Sequence, residues 1–140
     1  MPITVKDTDN RLGVIIHAAG ILTSEEYLKA MLDHLNQPAV KLAQYIYSLA
    51  DYTEVTELKL KTSDVRTIAY KCNAVSKVAP DVIVANVGSN ELFHSLANMW
   101  GALIAENNWT TTNVHKISQA KDWIRYQVEK RFHITDLTFE

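Results

Sequence analysis

The chain has 140 residues, 47% apolar and 21% charged, with a net charge of −2. That is one domain's worth of sequence, ordinary in composition and long enough to bury a core. No apolar run reaches the roughly 18 residues of a membrane span, no basic region leads into an apolar stretch at the N-terminus, and the lone Cys72 cannot form an internal disulfide, which together point to the cytoplasm.

In chain order, Ile3–Asp7 alternates as a half-buried strand does, Asp9-Asn10-Arg11 is a turn, and Leu12–Gly20 is a second strand, so the chain opens with a β-hairpin. Gly13 lies inside the second strand pattern and is read as a bulge. The junction that follows is the most legible in the sequence. With Thr23 as N-cap, Glu26 falls at the third helical position and completes a capping box, while Leu22 and Tyr27 form a hydrophobic staple. The helix is predicted to run to about Asn36, with Pro38 beyond it.

Ala43–Ala50 reads as a third strand, with Tyr45, Tyr47 and Leu49 on one face, and residues 51–57 as a polar loop of the length that often carries function. Thr62 or Ser63 is expected to cap the next helix, in which Val65, Ile68, Ala69, Cys72, Val75 and Val78 recur at helical spacing before Pro80. Cys72 on that stripe reads as a buried structural thiol, since reactive cysteines need an accessible, electropositive setting. Around this helix Lys59, Lys61, Arg66, Lys71 and Lys77 face a single acid, Asp64. Nucleic-acid-binding domains are usually basic overall with clustered arginine, so this reads as a solvated lysine face and no nucleic-acid partner is expected.

Asp81–Val87 is β-branched and apolar on both faces, the pattern of an inner parallel strand covered on both sides. Gly88-Ser89-Asn90 opens a broadly apolar helix predicted through about Glu106. Asn113–Ile117 is read as the fifth strand, Ser118 as the cap of the last helix, and residues 132–140 as a tail able to dock as an extra strand or to contact another subunit. Residues 1–131 are thus expected to form one α/β domain of order ββαβαβαβα. Its five-stranded, mostly parallel mixed sheet would carry an antiparallel edge strand.

The hairpin, Gly20-x-Leu22-Thr23-x-Glu25-x-Tyr27 at the first helix, a strand ending in Asp51, the apolar fourth strand, and Ser118-x-Ala120-x-x-Trp123-Ile124 in the last helix resemble the SpoIIAA-like (STAS and SEC14-type) proteins over nearly the whole chain. The resemblance implies a βα superhelix and a small bacterial protein. Its relatives act as anti-sigma-factor antagonists, as regulatory domains of transporters or as carriers of apolar ligands. Regulatory members carry a phosphorylatable serine in an Asp-Ser-x-Gly motif after the third strand. The nearest positions here are Thr62 and Ser63. No glycine follows them and Asp51 stands well upstream, so a helix cap is the simpler reading.

Ligands of open parallel sheets bind beyond the carboxyl ends of the strands. The residues expected there are Gly20, Asp51, Tyr52, Gly88, Ser89 and Asn90, with His94 one turn into the following helix. Gly88-Ser89-Asn90 would suit an anion but lacks a phosphate-loop pattern, and a plain glycine turn with a cap is the simpler reading. The five histidines show no metal-ligand spacing, and no nucleophile–base constellation can be named, so neither a catalytic residue nor a metal or cofactor is expected. Two readings follow. One is a non-enzymatic STAS-like regulatory or interaction module, with an unidentified protein partner or a second copy of itself meeting a Tyr-rich sheet face or the segment 51–62. The other is a binding protein for a lipid or other apolar small molecule, with a cavity lined by Tyr52, Phe93, Leu96 and Trp100.

Overall fold

The computed structural model describes residues 2–140. The chain runs β1 (Ile3–Asp7), β2 (Gly13–Thr23), α1 (Ser24–Leu35), α2 (Ala39–Leu42), β3 (Tyr47–Lys59), α3 (Thr62–Val75), β4 (Ile83–Val87), α4 (Glu91–Leu103), β5 (Thr110–Val114) and α5 (Ile117–Phe132). The strands lie in sequence order in one sheet, with β1 antiparallel to β2 and every later pair parallel. This is the mixed five-stranded sheet with an antiparallel edge expected from the sequence. The short α2, which follows Pro38, is an addition to the expected order.

Strand order explains where the helices go. Each parallel connection from β2 to β5 advances one place in the same direction, and right-handed crossovers then put their helices on one face. Accordingly α1 packs on α3, and α3 on α4. Their apolar stripes and the facing side of the sheet form one core, with Leu22, Ile68, Val14 and Ile104 almost wholly buried. No strand follows α5, so it is free to cross to the other face. There it lies over β3, β4 and β5. Ala120, Ile124 and Val128 meet Tyr47, Leu49, Ile83, Ala85 and Val87 in a second core. An inner strand apolar on both faces therefore has two cores to fill, as its composition implies.

Residues 133–140 form no strand. They lie against the second core, with Leu137 buried. The Tyr47 hydroxyl donates to the Thr138 carbonyl at 3.0 Å, and the Asp9 N–H to the Glu140 carbonyl at 2.5 Å. Phe139 meets the Tyr47 ring edge-on, with the Arg125 guanidinium 4.9 Å from its centroid. The Tyr-rich face expected to lie open for a partner is thus covered from within the chain. Tyr45 does not share it: Tyr45 lies before β3 begins and packs in the first core.

Several boundaries differ from the sequence reading. The supposed loop 51–57 is strand, because β3 continues through Lys59 alongside a β2 that itself runs on to Thr23. Beyond Asp51, β3 pairs only with β2, since β4 is short. The register shifts twice, between His17 and Ala19 and between Gly20 and Ile21, each time with an extra residue in β3. Gly20 stands at the second shift with φ +69°, a backbone conformation that suits glycine. Gly13 marks no bulge. A Cβ there would fall 2.1 Å from the Tyr47 ring, so its role is to let that ring lie flat on the backbone. At α3 the N-cap is Lys61, and Thr62 and Ser63 are the first two helical residues. At α5 the N-cap is Lys116, not Ser118, and β5 begins at Thr110, ahead of the expected Asn113.

Candidate functional site

The Thr23 capping box forms as read: the Glu26 N–H donates to Thr23 Oγ1 at 3.3 Å, and Glu26 Oε1 accepts from the Thr23 hydroxyl at 2.8 Å. It fixes the start of α1 and so turns Tyr27, Met31 and Leu35 onto the first core. From α3 come Val65, Ile68, Cys72 and Val75, from α4 Phe93, Leu96 and Trp100, and from the sheet Val14, Ile16, Ala50, Tyr52 and Val84. These do not fill the space between them. They line a cavity of about 100 Å³. The four residues expected around a cavity, Tyr52, Phe93, Leu96 and Trp100, are all on its wall.

The wall is apolar with polar groups set into it. Burial pushes the Cys72 thiol up to about 12, with the Trp100 indole beside it pulling partly back, so this cysteine is no nucleophile at neutral pH. Burial also raises the Tyr27 and Tyr52 phenols, which stay protonated. Toward α2 the wall ends in a fixed network. The Tyr45 hydroxyl donates to Asp7 Oδ1 at 2.5 Å, Lys41 Nζ lies 2.8 Å from Asp7 Oδ2, and Gln37 Nε2 lies 3.0 Å from His34 Nδ1. Burial would push the Asp7 carboxyl up, but Lys41 and Tyr45 together hold it below its usual value. Burial lowers His34, and the Asp7 carboxylate offsets this only in part. Toward β5, Asn86 on the wall donates to Asn113 Oδ1 at 3.1 Å, and Asn113 donates to Asn98 Oδ1 at 2.9 Å.

The residues singled out in the sequence fall into three places. Asp51 is within β3, where Oδ1 accepts from the Thr53 N–H at 2.9 Å and its hydroxyl at 2.7 Å, holding the first bulge. Thr62 and Ser63 are exposed on the first turn of α3, and the Ser63 backbone carbonyl accepts from the Thr67 hydroxyl at 3.0 Å. Gly88, Ser89, Asn90 and His94 gather where β4 meets α4. Asn90 Oδ1 accepts from the Phe93 N–H at 2.7 Å and is the cap. A Cβ on Gly88 would fall 2.4 Å from the Phe93 ring, so packing explains the glycine. His94 Nε2 lies 2.8 Å from the Gly88 carbonyl, to which it must donate, and its ring is 4.3 Å from that of His115. Phe93 joins this group to the cavity, with its ring 5.0 Å from that of His94 and 5.2 Å from that of Tyr52, which is also on the wall. Sequence reasoning missed Tyr27, His34 and Asn86 as wall residues. A polar atom on an otherwise apolar stripe was the available signal.

No family model and no curated protein matches the chain. Among solved structures it is similar to an uncharacterised DUF3478-family protein from Shewanella loihica, at 19% identity, over 86% of this chain and 90% of that one, with a TM-score of 0.43. That protein is described as having a SpoIIAA-like fold, the architecture that the sequence resemblance implies here. Among the described residues, no helix is long and apolar enough to cross a membrane.

Proposed function

We propose that the protein binds a small apolar ligand between the sheet and helices α1, α3 and α4. The observation that carries this reading is the cavity itself. Well-packed cores leave few voids larger than a water molecule. Here a space of about 100 Å³ is walled by aromatic and aliphatic side chains. An engineered apolar cavity of about 150 Å³ takes up benzene, so a largely apolar space of this kind suits an organic occupant of about six heavy atoms. The reading as a regulatory or interaction module has less behind it. Its sheet face is covered by α5 and the tail, and its segment 51–62 is mostly strand, paired beyond Asp51 with β2 alone.

Benzene tests the proposal directly. In a titration followed by two-dimensional NMR, benzene should shift the resonances of Cys72, Leu96 and Trp100 and leave α5 residues such as Tyr126 in place. Stability should rise with free ligand, by about 1.4 kcal/mol at roughly ten times the dissociation constant. Unmoved wall resonances at the solubility limit of benzene would overturn the proposal.

A further inference from the structure

The cavity wall holds more donor capacity than it uses. Among its described residues there is no Lys, Arg, Asp or Glu, and the one histidine, His34, is held toward its neutral form by burial. Most polar groups on the wall have partners: the Tyr45 hydroxyl has Asp7, Tyr47 has the Thr138 carbonyl, and the Trp109 indole has the Ala79 carbonyl at 2.7 Å. The hydroxyls of Tyr27 and Tyr52 have none among the described residues, and Ser48 on the sheet floor adds a third, shorter one. Yet among the described residues no side-chain nitrogen or oxygen sealed away from solvent-sized space lacks a partner. Both residues line the cavity, Tyr27 buried at 7% exposure and Tyr52 half-buried, so their two free phenols are available to an occupant of it. Both lie on the wall of one space of about 100 Å³.

We infer that the natural ligand is uncharged and carries an oxygen acceptor, such as the carbonyl of a ketone or ester, which the Tyr27 and Tyr52 hydroxyls bind. The inference rests on the cavity being a ligand site and adds the chemistry of the ligand's polar end. Each phenol brings one O–H to donate, and a carbonyl oxygen with two lone pairs can accept both. A carboxylate could accept both as well, but it would enter an apolar space that offers no cation, where a bare charge is strongly disfavoured. A pure hydrocarbon would leave both O–H groups without partners. Both phenols stay protonated, so the donors persist across the physiological pH range.

The test uses three probes matched in size, methylcyclopentane, cyclopentanone and isobutyrate, titrated by NMR into the wild type, Tyr27→Phe and Tyr52→Phe. Cyclopentanone should bind the wild type, and each substitution should weaken it about three- to tenfold, the effect of one lost hydrogen bond. Methylcyclopentane should bind all three proteins equally, or the variants more tightly, which also shows that the cavity survives the substitutions. Isobutyrate should not bind. If the hydrocarbon binds but the ketone ignores both substitutions, or if isobutyrate binds best, this inference fails and the ligand site stands. If neither neutral probe binds the wild type, the site fails with it.

Discussion

The buried Ser24 hydroxyl accepts from the Lys61 N–H at 2.8 Å, which ties the first residue of α1 to the N-cap of α3. Thr62 and Ser63, the hydroxyls that the sequence offers as caps, are exposed and bind no free N–H of their own helix end. Ser24→Ala should then cost about 1–3 kcal/mol, because it strands a backbone N–H. Ser63→Ala should stay within about 0.5 kcal/mol of wild type. Urea unfolding of the two variants checks the order, and a larger loss at Ser63 would restore it as a cap. His34 makes a pH prediction. Burial lowers its folded pKa below the ordinary 6.5, so the unfolded chain takes up the proton first as pH falls. The stability is intact above about pH 6.5 and declines as pH drops toward the lower folded value. His34→Gln should flatten the urea midpoint between about pH 7 and pH 5. An unchanged slope would move the effect to another group. Asp7, also held low, adds a separate loss at more acid pH, below its unfolded value of 3.8.

At the scale of elements, what could be read in advance was whatever the chain settles locally. The α1 capping box depends on neighbours a few residues apart and forms as read, with Leu22 and Tyr27 both buried in the first core and Pro38 just beyond the helix end. The far half of β3 depends on its partner. Its apolar residues Tyr52, Val55 and Leu58 stand three apart, a spacing no regular strand gives, because β3 carries two extra residues relative to β2. The bulges break the two-residue period, and the segment reads as a polar loop until the pairing is known. The candidate site divides the same way. Phe93, Leu96 and Trp100 belong to a visible helical stripe, so their place on a cavity wall was legible. Tyr27 already had a full local explanation as a staple residue, which masks the signal of a hydroxyl on an apolar stripe.

For the whole molecule, the sheet separates two cores that share few side chains. Leu137 belongs to one and Ile68 to the other. Leu137→Ala should cost about 2–5 kcal/mol, as a buried leucine does, although it lies in a segment without secondary structure. Ile68→Val should cost about 0.5–1.5 kcal/mol. With the sheet between them, the double variant should equal the sum within about 0.5 kcal/mol, and a larger discrepancy in denaturant melts would mean that the two layers are mechanically coupled. The unequal lengths of β3 and β4 have a consequence of their own. From Tyr52 to Lys59 the sheet ends early and leaves a row of main-chain groups with a strand on one side only. Such a row is a template on which a second molecule can add its own strand, the first step toward aggregation. The same segment carries exposed Glu54, Glu57 and Lys59 and both register shifts, so charge and irregular twist keep the edge from being copied. The residues that hid this strand from the sequence reading are thus the ones that disfavour strand addition along it.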